Sequence, residues 1–276
     1  RDARTGVTEL TFEEPTFAIV DVRGGAPGSR EFGLVGDAIT PVTVNALVFA
    51  GGSAFGLAAA DGVMAEVESE GRGAPTPAGP VPIVPAAIIF DLLVGSADVR
   101  PTAADGATAY RARTTRPVER GLVGAGTGAT VGKMNGPDGM SSGGVGSACI
   151  TVDEASVGAL VVLNAVGDDY DLAGHRLTGS AELDRKASEG PFGFNTTLIA
   201  VATDALIEDR NELRRFGVRA HDALASTVRP AHTRYDGDTA FVVSSGRADA
   251  DMDRLGEAVF RVVAASIVDA IQSSQP

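Results

Sequence analysis

The sequence has one cysteine, Cys149, and three histidines, His175, His221 and His232. A lone thiol forms no internal disulfide and no cysteine metal cluster, and three scattered imidazoles leave little room for a histidine zinc site. Redox and zinc chemistry are therefore set aside. Long apolar runs are also missing: Gly, Pro or Asp interrupts each within about ten positions, short of the roughly 18 residues a spanning helix needs. No membrane partner is expected. Lysine is scarce, Lys133 and Lys186 being two of the 23 basic residues, a skew that a GC-rich coding sequence accounts for. Against those 23 stand 36 acidic residues and a net charge of -13. A nucleic-acid groove would have to be built against that field, so no nucleic-acid partner is expected either. Residues 1–4 carry no methionine and lead into no apolar signal core, which leaves a cytoplasmic location as the default expectation. No repeat of fixed period and no low-complexity tract is found.

What is present is ordinary globular composition, 44% hydrophobic and 21% charged over 276 residues, enough for a sizeable core. The 35 glycines cluster at 24–25, 51–52, 124–128 and 143–146, where they mark tight turns. Between them lie short runs rich in Val, Ile and Ala at 17–22, 46–50, 81–84, 157–163, 198–202 and 241–243. Their near-continuous apolarity predicts strands covered on both faces. Helical stripes occur over 57–68, 211–227 and 255–271, the last lined by Val259, Val262, Val263, Ile267 and Ile271. Exposed loops are expected at 70–80, where Gly and Pro crowd, and at 168–190.

Two glycine motifs invite functional readings and fall short. The run Gly124-Ala-Gly126-Thr-Gly128-Ala-Thr-Val-Gly132 would need a dinucleotide-binding glycine at Val131, and no helix pattern or acidic ribose ligand follows. Gly51-Gly52-Ser53-Ala-Phe55 resembles a nucleophile elbow, with Phe55 standing where its second glycine belongs. What survives there is a helix start whose free N–H groups would receive an anion or oxyanion, or a plain turn into a helix. The histidines fall in a loop, a helix and a turn and are read as structural.

The segment Asn195-Thr196-Thr197-Leu198-Ile199 places a threonine at the mouth of a buried strand, preceded by asparagine. Attack of its hydroxyl on the Asn195 carbonyl would form an ester and then cleave the chain. The freed α-amine of Thr196, with a reference pKa of about 7.7 to 8.0, is suited to deprotonating its own hydroxyl. Strand-starting threonines also occur for conformational reasons alone.

Asn195-Thr196-Thr197, with Ala202-Thr203-Asp204-Ala205, resembles the self-cleavage site of the DmpA-like family of N-terminal-nucleophile amide hydrolases. That family includes L-aminopeptidase/D-esterases, β-peptidyl aminopeptidases and nylon-oligomer hydrolases. Residues 21–31, Ala50-Gly-Gly-Ser-Ala-Phe-Gly-Leu57, 81–85, Ile89-Phe-Asp91, Arg229-Pro-Ala-His232-Thr and Asp236-Gly-Asp238 resemble its other blocks, in the same order. Threonine after asparagine is most similar to the nylon-hydrolase branch. The resemblance implies a four-layer α/β/β/α sandwich of the DmpA/ornithine acetyltransferase type in a single domain, 1–276, split by autoproteolysis into 1–195 and 196–276. It implies Thr196 as nucleophile, Lys133 beside it, Asn164 as an oxyanion donor and Asp236 and Asp238 as an acidic pair. It also implies substrate binding around Gly51, Gly52 and Phe55, with no metal and no organic cofactor. Phe55 departs from the family's tyrosine and lacks its hydroxyl, which bears on substrate range or rate. The implied substrates are small linear amides, 6-aminohexanoate oligomers or short peptides, and the implied assembly is a homotetramer or larger homo-oligomer. The alternatives are an ornithine acetyltransferase-like acyl transferase and a binding protein with a decayed site.

Overall fold

The computed structural model describes residues 3–36, 42–136, 139–179 and 195–275. In chain order these form β1 (Val7–Val22), β2 (Ser29–Arg30), α1 (Phe32–Val35), β3 (Thr43–Ala50), α2 (Ala59–Ser69), β4 (Ala86–Ile88), α3 (Ala103–Arg111), β5 (Thr130–Val131) and β6 (Ser141–Ser142). They continue with β7 (Gly144–Val152), β8 (Ala155–Asn164), β9 (Asp168–Asp169), β10 (Thr196–Ala205), α4 (Arg210–Thr227), β11 (Val228–Arg229), β12 (Thr239–Ala248) and α5 (Met252–Ser274).

Eight strands form one mixed sheet in the order β2-β4-β3-β1-β12-β10-β8-β7. The long β1 is the hinge of the arrangement. Its first part pairs with β3, its register shifts between Thr11 and Thr16, and its last part, from Phe17 to Val22, pairs with β12. The sheet folds over along β1, so that β4 touches β10 although three strands separate them in the hydrogen-bonding order. Side-chain alternation then sorts the core into layers. In β8, Val157, Ala159, Val161 and Leu163 pack with α4 and α5, while Leu160 and Val162 point between the two halves of the sheet. In β3, Ala46, Val48 and Ala50 face α2, while Leu47 and Phe49 join the inner layer. This is the expected α/β/β/α sandwich. It also explains the near-continuous apolar runs, since every inner strand is covered on both faces.

The helices follow from their stripes and ends. Asp251 caps α5 by accepting from the Arg254 N–H at 2.9 Å, Asp209 caps α4 through the Asn211 N–H at 2.8 Å, and Thr102 with Asp105 forms a capping box on α3.

Two expectations are corrected. Residues 81–84 form no strand; the strand begins at Ala86, because Pro82 and Pro85 lack the N–H a ladder needs. The loop expected at 168–190 opens instead with buried Asp168 and Asp169 in β9, paired with β11. Residues 180–190 of that loop lie outside the described residues. No helix among the described residues is long and apolar enough to cross a membrane.

Candidate active site

The strand β10 lies between β8 and β12, and its first residue, Thr196, pairs with Asn164, the last residue of β8. This end of the sandwich gathers most of the polar residues singled out in the sequence. Asn195, Thr196, Asn164, Asp236 and Asp238 are each no more than 2% exposed and Lys133 is 7% exposed, so the cluster is closed to solvent in the intact chain.

The Asn195–Thr196 junction is held by three close contacts. The Thr196 hydroxyl donates to the Asn195 carbonyl oxygen at 2.5 Å. The same oxygen accepts the Gly237 N–H at 2.6 Å, and the Asn195 N–H donates to the Tyr235 carbonyl at 2.7 Å. The strand entrance is thus laced to the turn before β12, with Gly237 supplying a donor to the oxygen that would carry negative charge in a tetrahedral intermediate. Gly237 fits this role because it has no side chain. A Cβ there would lie 2.8 Å from Thr196 Oγ1, 2.8 Å from the Ala26 carbonyl oxygen and 3.0 Å from Pro27 Cα.

The acidic pair does different work at each carboxylate. Asp238 accepts the Thr197 N–H at 2.8 Å and, on its other oxygen, the backbone N–H and Nδ1 of His232, both at 2.9 Å. Asp236 accepts from the Val166 N–H at 3.2 Å, the Thr233 N–H at 3.0 Å and the Thr233 hydroxyl at 2.5 Å. Burial, with Asp238 adding to it, raises the Asp236 carboxyl above its usual range. The glycine-rich block after β1 backs this turn, the Ala26 N–H reaching the Asp236 carbonyl at 2.9 Å and the Arg23 N–H the Asp238 carbonyl at 3.0 Å.

Lys133 is held by Asn164: Nζ donates to its carbonyl oxygen at 3.1 Å and to its Oδ1 at 2.9 Å, and the Thr130 N–H reaches the same Oδ1 at 3.0 Å. Burial lowers Lys133 to about 7 against the opposing pull of Asp236 and Asp169. Asn164 Nδ2 donates to the Phe90 carbonyl at 3.3 Å. The side chain first read as an oxyanion donor therefore has its oxygen committed to placing Lys133, with one amide N–H on Phe90.

Gly51, Gly52 and Phe55 are not hydrogen-bonded into this cluster. The Gly52 N–H donates to Asp91 at 2.7 Å and the Ser53 N–H to the Ile89 carbonyl at 3.0 Å. An internal carboxylate thus takes the place expected for a bound anion. Phe55 is exposed, with the Arg100 guanidinium 3.7 Å above its ring. A cleft of about 1160 Å³ opens between the sheet halves, lined in part by Ala200 and Ala202. At about 3.3 Å per residue it lies some 13 to 20 Å along β10 from Thr196 and is not the site of the cluster. No group of three or more metal-ligating side chains is found among the described residues.

Gly237, His232, Asp168 and Asp169 lie at the site without having been assigned to it from the sequence. His232 carried a signal in hindsight, four residues before Asp236 in the same short turn. The two adjacent aspartates carried none, because their burial depends on distant segments.

A family model described as Peptidase family S58 matches residues 1–276. An uncharacterized aminopeptidase of Mycobacterium leprae is 41% identical over 272 residues, covering 89% of this chain and 72% of that protein. A 6-aminohexanoate-oligomer endohydrolase of Paenarthrobacter ureafaciens is 28% identical over 264 residues, covering 89% and 70%. Among solved structures, the L-aminopeptidase D-Ala-esterase/amidase of Ochrobactrum anthropi, described as a variant of the Ntn hydrolase fold, superposes with a TM-score of 0.77. It does so at 19% identity, covering 98% of this chain and 78% of that one.

Proposed function

Since the chain belongs to peptidase family S58 and is a hydrolase of amide or peptide bonds, we propose that it matures by cutting its own Asn195–Thr196 bond and then works through Thr196 as an N-terminal nucleophile. The observation that carries this reading is the Thr196 hydroxyl at 2.5 Å from the Asn195 carbonyl oxygen, an oxygen already receiving the Gly237 N–H. In the first step Thr196 Oγ bonds to the Asn195 carbonyl carbon, the hydroxyl proton leaves, and Gly237 stabilises the oxyanion. Collapse breaks the C–N bond, and the departing nitrogen takes up a proton, leaving an ester. Water then hydrolyses the ester, giving the Asn195 carboxylate and a free Thr196 bearing both hydroxyl and α-amine. Lys133, which burial lowers to about 7, is a titratable group able to exchange a proton near this bond at neutral pH.

In turnover the α-amine takes the hydroxyl proton, Thr196 Oγ attacks the substrate carbonyl, and the amine product leaves from an acyl-enzyme that water resolves. Because Thr196 is 2% exposed in the intact chain, substrate enters only after the Asn195 end has moved aside. The substrates proposed are small linear amides, either short peptides or 6-aminohexanoate oligomers, the classes named for the two relatives. The product is proposed to be a homo-oligomer of paired fragments.

The test is the denatured mass of the wild type beside Thr196→Ala. Fragments of roughly 20 and 8 kDa from the wild type, with an intact 28.0 kDa variant, are expected. An uncut wild type removes the mechanism. Turnover of aminoacyl anilides against 6-aminohexanoate oligomers then separates the two substrate classes.

A further inference from the structure

Asp169 is fully buried, and its carboxylate is half satisfied. Oδ2 accepts the Thr178 hydroxyl at 2.7 Å, and that hydroxyl oxygen accepts the Asp169 N–H at 2.9 Å. Oδ1 has no hydrogen-bond partner among the described residues. A buried carboxylate oxygen left without a donor is costly unless a positive charge lies close by. Lys133 is the complementary case. Its ammonium has three donors, and the hydrogen bonds formed by Nζ run to the two oxygens of Asn164.

The backbone brings the segments that carry these two residues together. The Gly132 N–H donates to the Gly167 carbonyl and the Lys133 N–H to the Val166 carbonyl, both at 2.9 Å. The chain then runs from Gly167 directly into Asp168 and Asp169, which β11 pins from the other side. Among the described residues no direct ion pair joins Lys133 to Asp169; both are buried, where screening by water is weak, so their charges act on one another without contact.

We propose that Asp169 is a positioning residue of this site, which from β9 sets how much of the buried Lys133 carries a proton at neutral pH. This rests on the reading of Thr196 as a self-liberated nucleophile. Among the described residues the groups acting on Lys133 are Asp236 from the turn before β12 and Asp169 from β9, with Asp168 next to Asp169 in sequence and Arg176 acting on Asp168. After cleavage the α-amine of Thr196 joins them. Asp169 itself is raised to about 7 by burial, with Lys133 pulling it down. Burial thus moves the two groups toward each other, the lysine down and the carboxyl up. A charged Lys133 would disfavour protonation of the nearby α-amine and keep it available as a base. A carboxylate that stabilises the charged lysine thus acts on the nucleophile through Lys133.

The scarcity of lysine makes a direct measurement practical. With side-chain 13C-labelled lysine the protein gives two sets of signals, from Lys133 and Lys186, and Lys186→Arg assigns them. In the uncleaved Thr196→Ala background, Asp169→Asn is expected to move the Lys133 titration midpoint to lower pH by about one unit, because loss of a facing negative charge disfavours the ammonium. Thr178→Val, which frees Oδ2 and weakens the charged carboxylate, moves it the same way by less. In the cleavage-competent protein, the limb of the pH–rate profile that reports Lys133 moves to lower pH with Asp169→Asn, whichever protonation state turnover requires. Asp169→Glu is expected to return it toward the wild-type position.

An unchanged Lys133 midpoint in Asp169→Asn overturns the proposal. If that variant does not fold, an unchanged midpoint in Thr178→Val does so. A shifted midpoint in a protein that never cleaves itself would uphold the coupling and overturn the nucleophile reading instead.

Discussion

Gly237 and Asn195 are joined by a hydrogen bond of 2.6 Å, from the glycine N–H to the carbonyl oxygen of the bond proposed to break. Forty-two positions separate them in sequence. In the cleavage proposed, the contact would make the turn before β12 part of the chemistry and not only its support.

Gly237→Ala is therefore expected to slow self-cleavage by about 100-fold or more, the scale on which an oxyanion donor acts. The new methyl would crowd Thr196 Oγ1 and the Ala26 carbonyl at 2.8 Å. A time course of fragment appearance after rapid purification checks this. Cleavage at the wild-type rate would mean that the methyl is accommodated without displacing Thr196 Oγ1 or drawing the backbone N–H, which alanine retains, away from the Asn195 oxygen.

The two fragments should remain together after cleavage. β10 and β12 belong to the C-terminal piece, yet β10 pairs with β8 from Asn164 to Val157, and β12 pairs with β1, both from the N-terminal piece. Sedimentation in native buffer is expected to show both fragments at equal stoichiometry in particles holding several copies, with separation only in denaturant. A free 8 kDa species, or paired fragments no larger than about 28 kDa, would contradict one or the other half of this expectation.

Lys133 carries a stability cost with a defined pH window. Its pKa is lowered from 10.5 to about 7 on folding, so between those values the unfolded chain binds more protons and stability rises with pH. The cost is fully present below pH 7 and is relieved as pH approaches 10.5. In the Thr196→Ala background, Lys133→Met is expected to be relatively most stabilising at pH 6 and to lose that advantage by pH 10. Thermal melts at several pH values test this; a difference that stays constant with pH would show that Lys133 keeps its proton in the folded protein.

Asp238→Ala strips acceptors from the Thr197 N–H and from both donors of His232. In the uncleaved background a loss of about 2 to 4 kcal/mol is expected, and in the cleavable protein a failure to process. Denaturant unfolding and fragment mass give the two readouts. Normal processing with lost stability would confine Asp238 to a structural part.

Much of the sandwich was legible because burial on both faces leaves a local mark. The runs at 157–163, 198–202 and 241–243 are apolar at consecutive positions, and the stripe of α5 recurs at helical spacing. The first part of β1 was not legible. Residues such as Glu9, Thr11 and Glu13 alternate with apolar ones, and their pairing with β3 depends on a strand that follows more than thirty positions later. Residues 81–84 did carry the local mark against a strand, Pro82 followed by Pro85, within an otherwise apolar run.

At the site the same division holds. The bond and nucleophile proposed, Asn195–Thr196, were legible in the sequence through the family resemblance of that segment, because attack by a hydroxyl on the preceding carbonyl is a relation between covalent neighbours. The sequence by itself also brought Asp236 and Asp238 into one turn. Only the tertiary structure decided which groups surround that bond: the Gly237 N–H on its oxygen, His232 on Asp238, Lys133 on Asn164, and two aspartates read as loop residues buried in β9. Hydrogen bonds and buried charges act over a few ångströms of space irrespective of separation along the chain, and their strength depends on the water that folding removes.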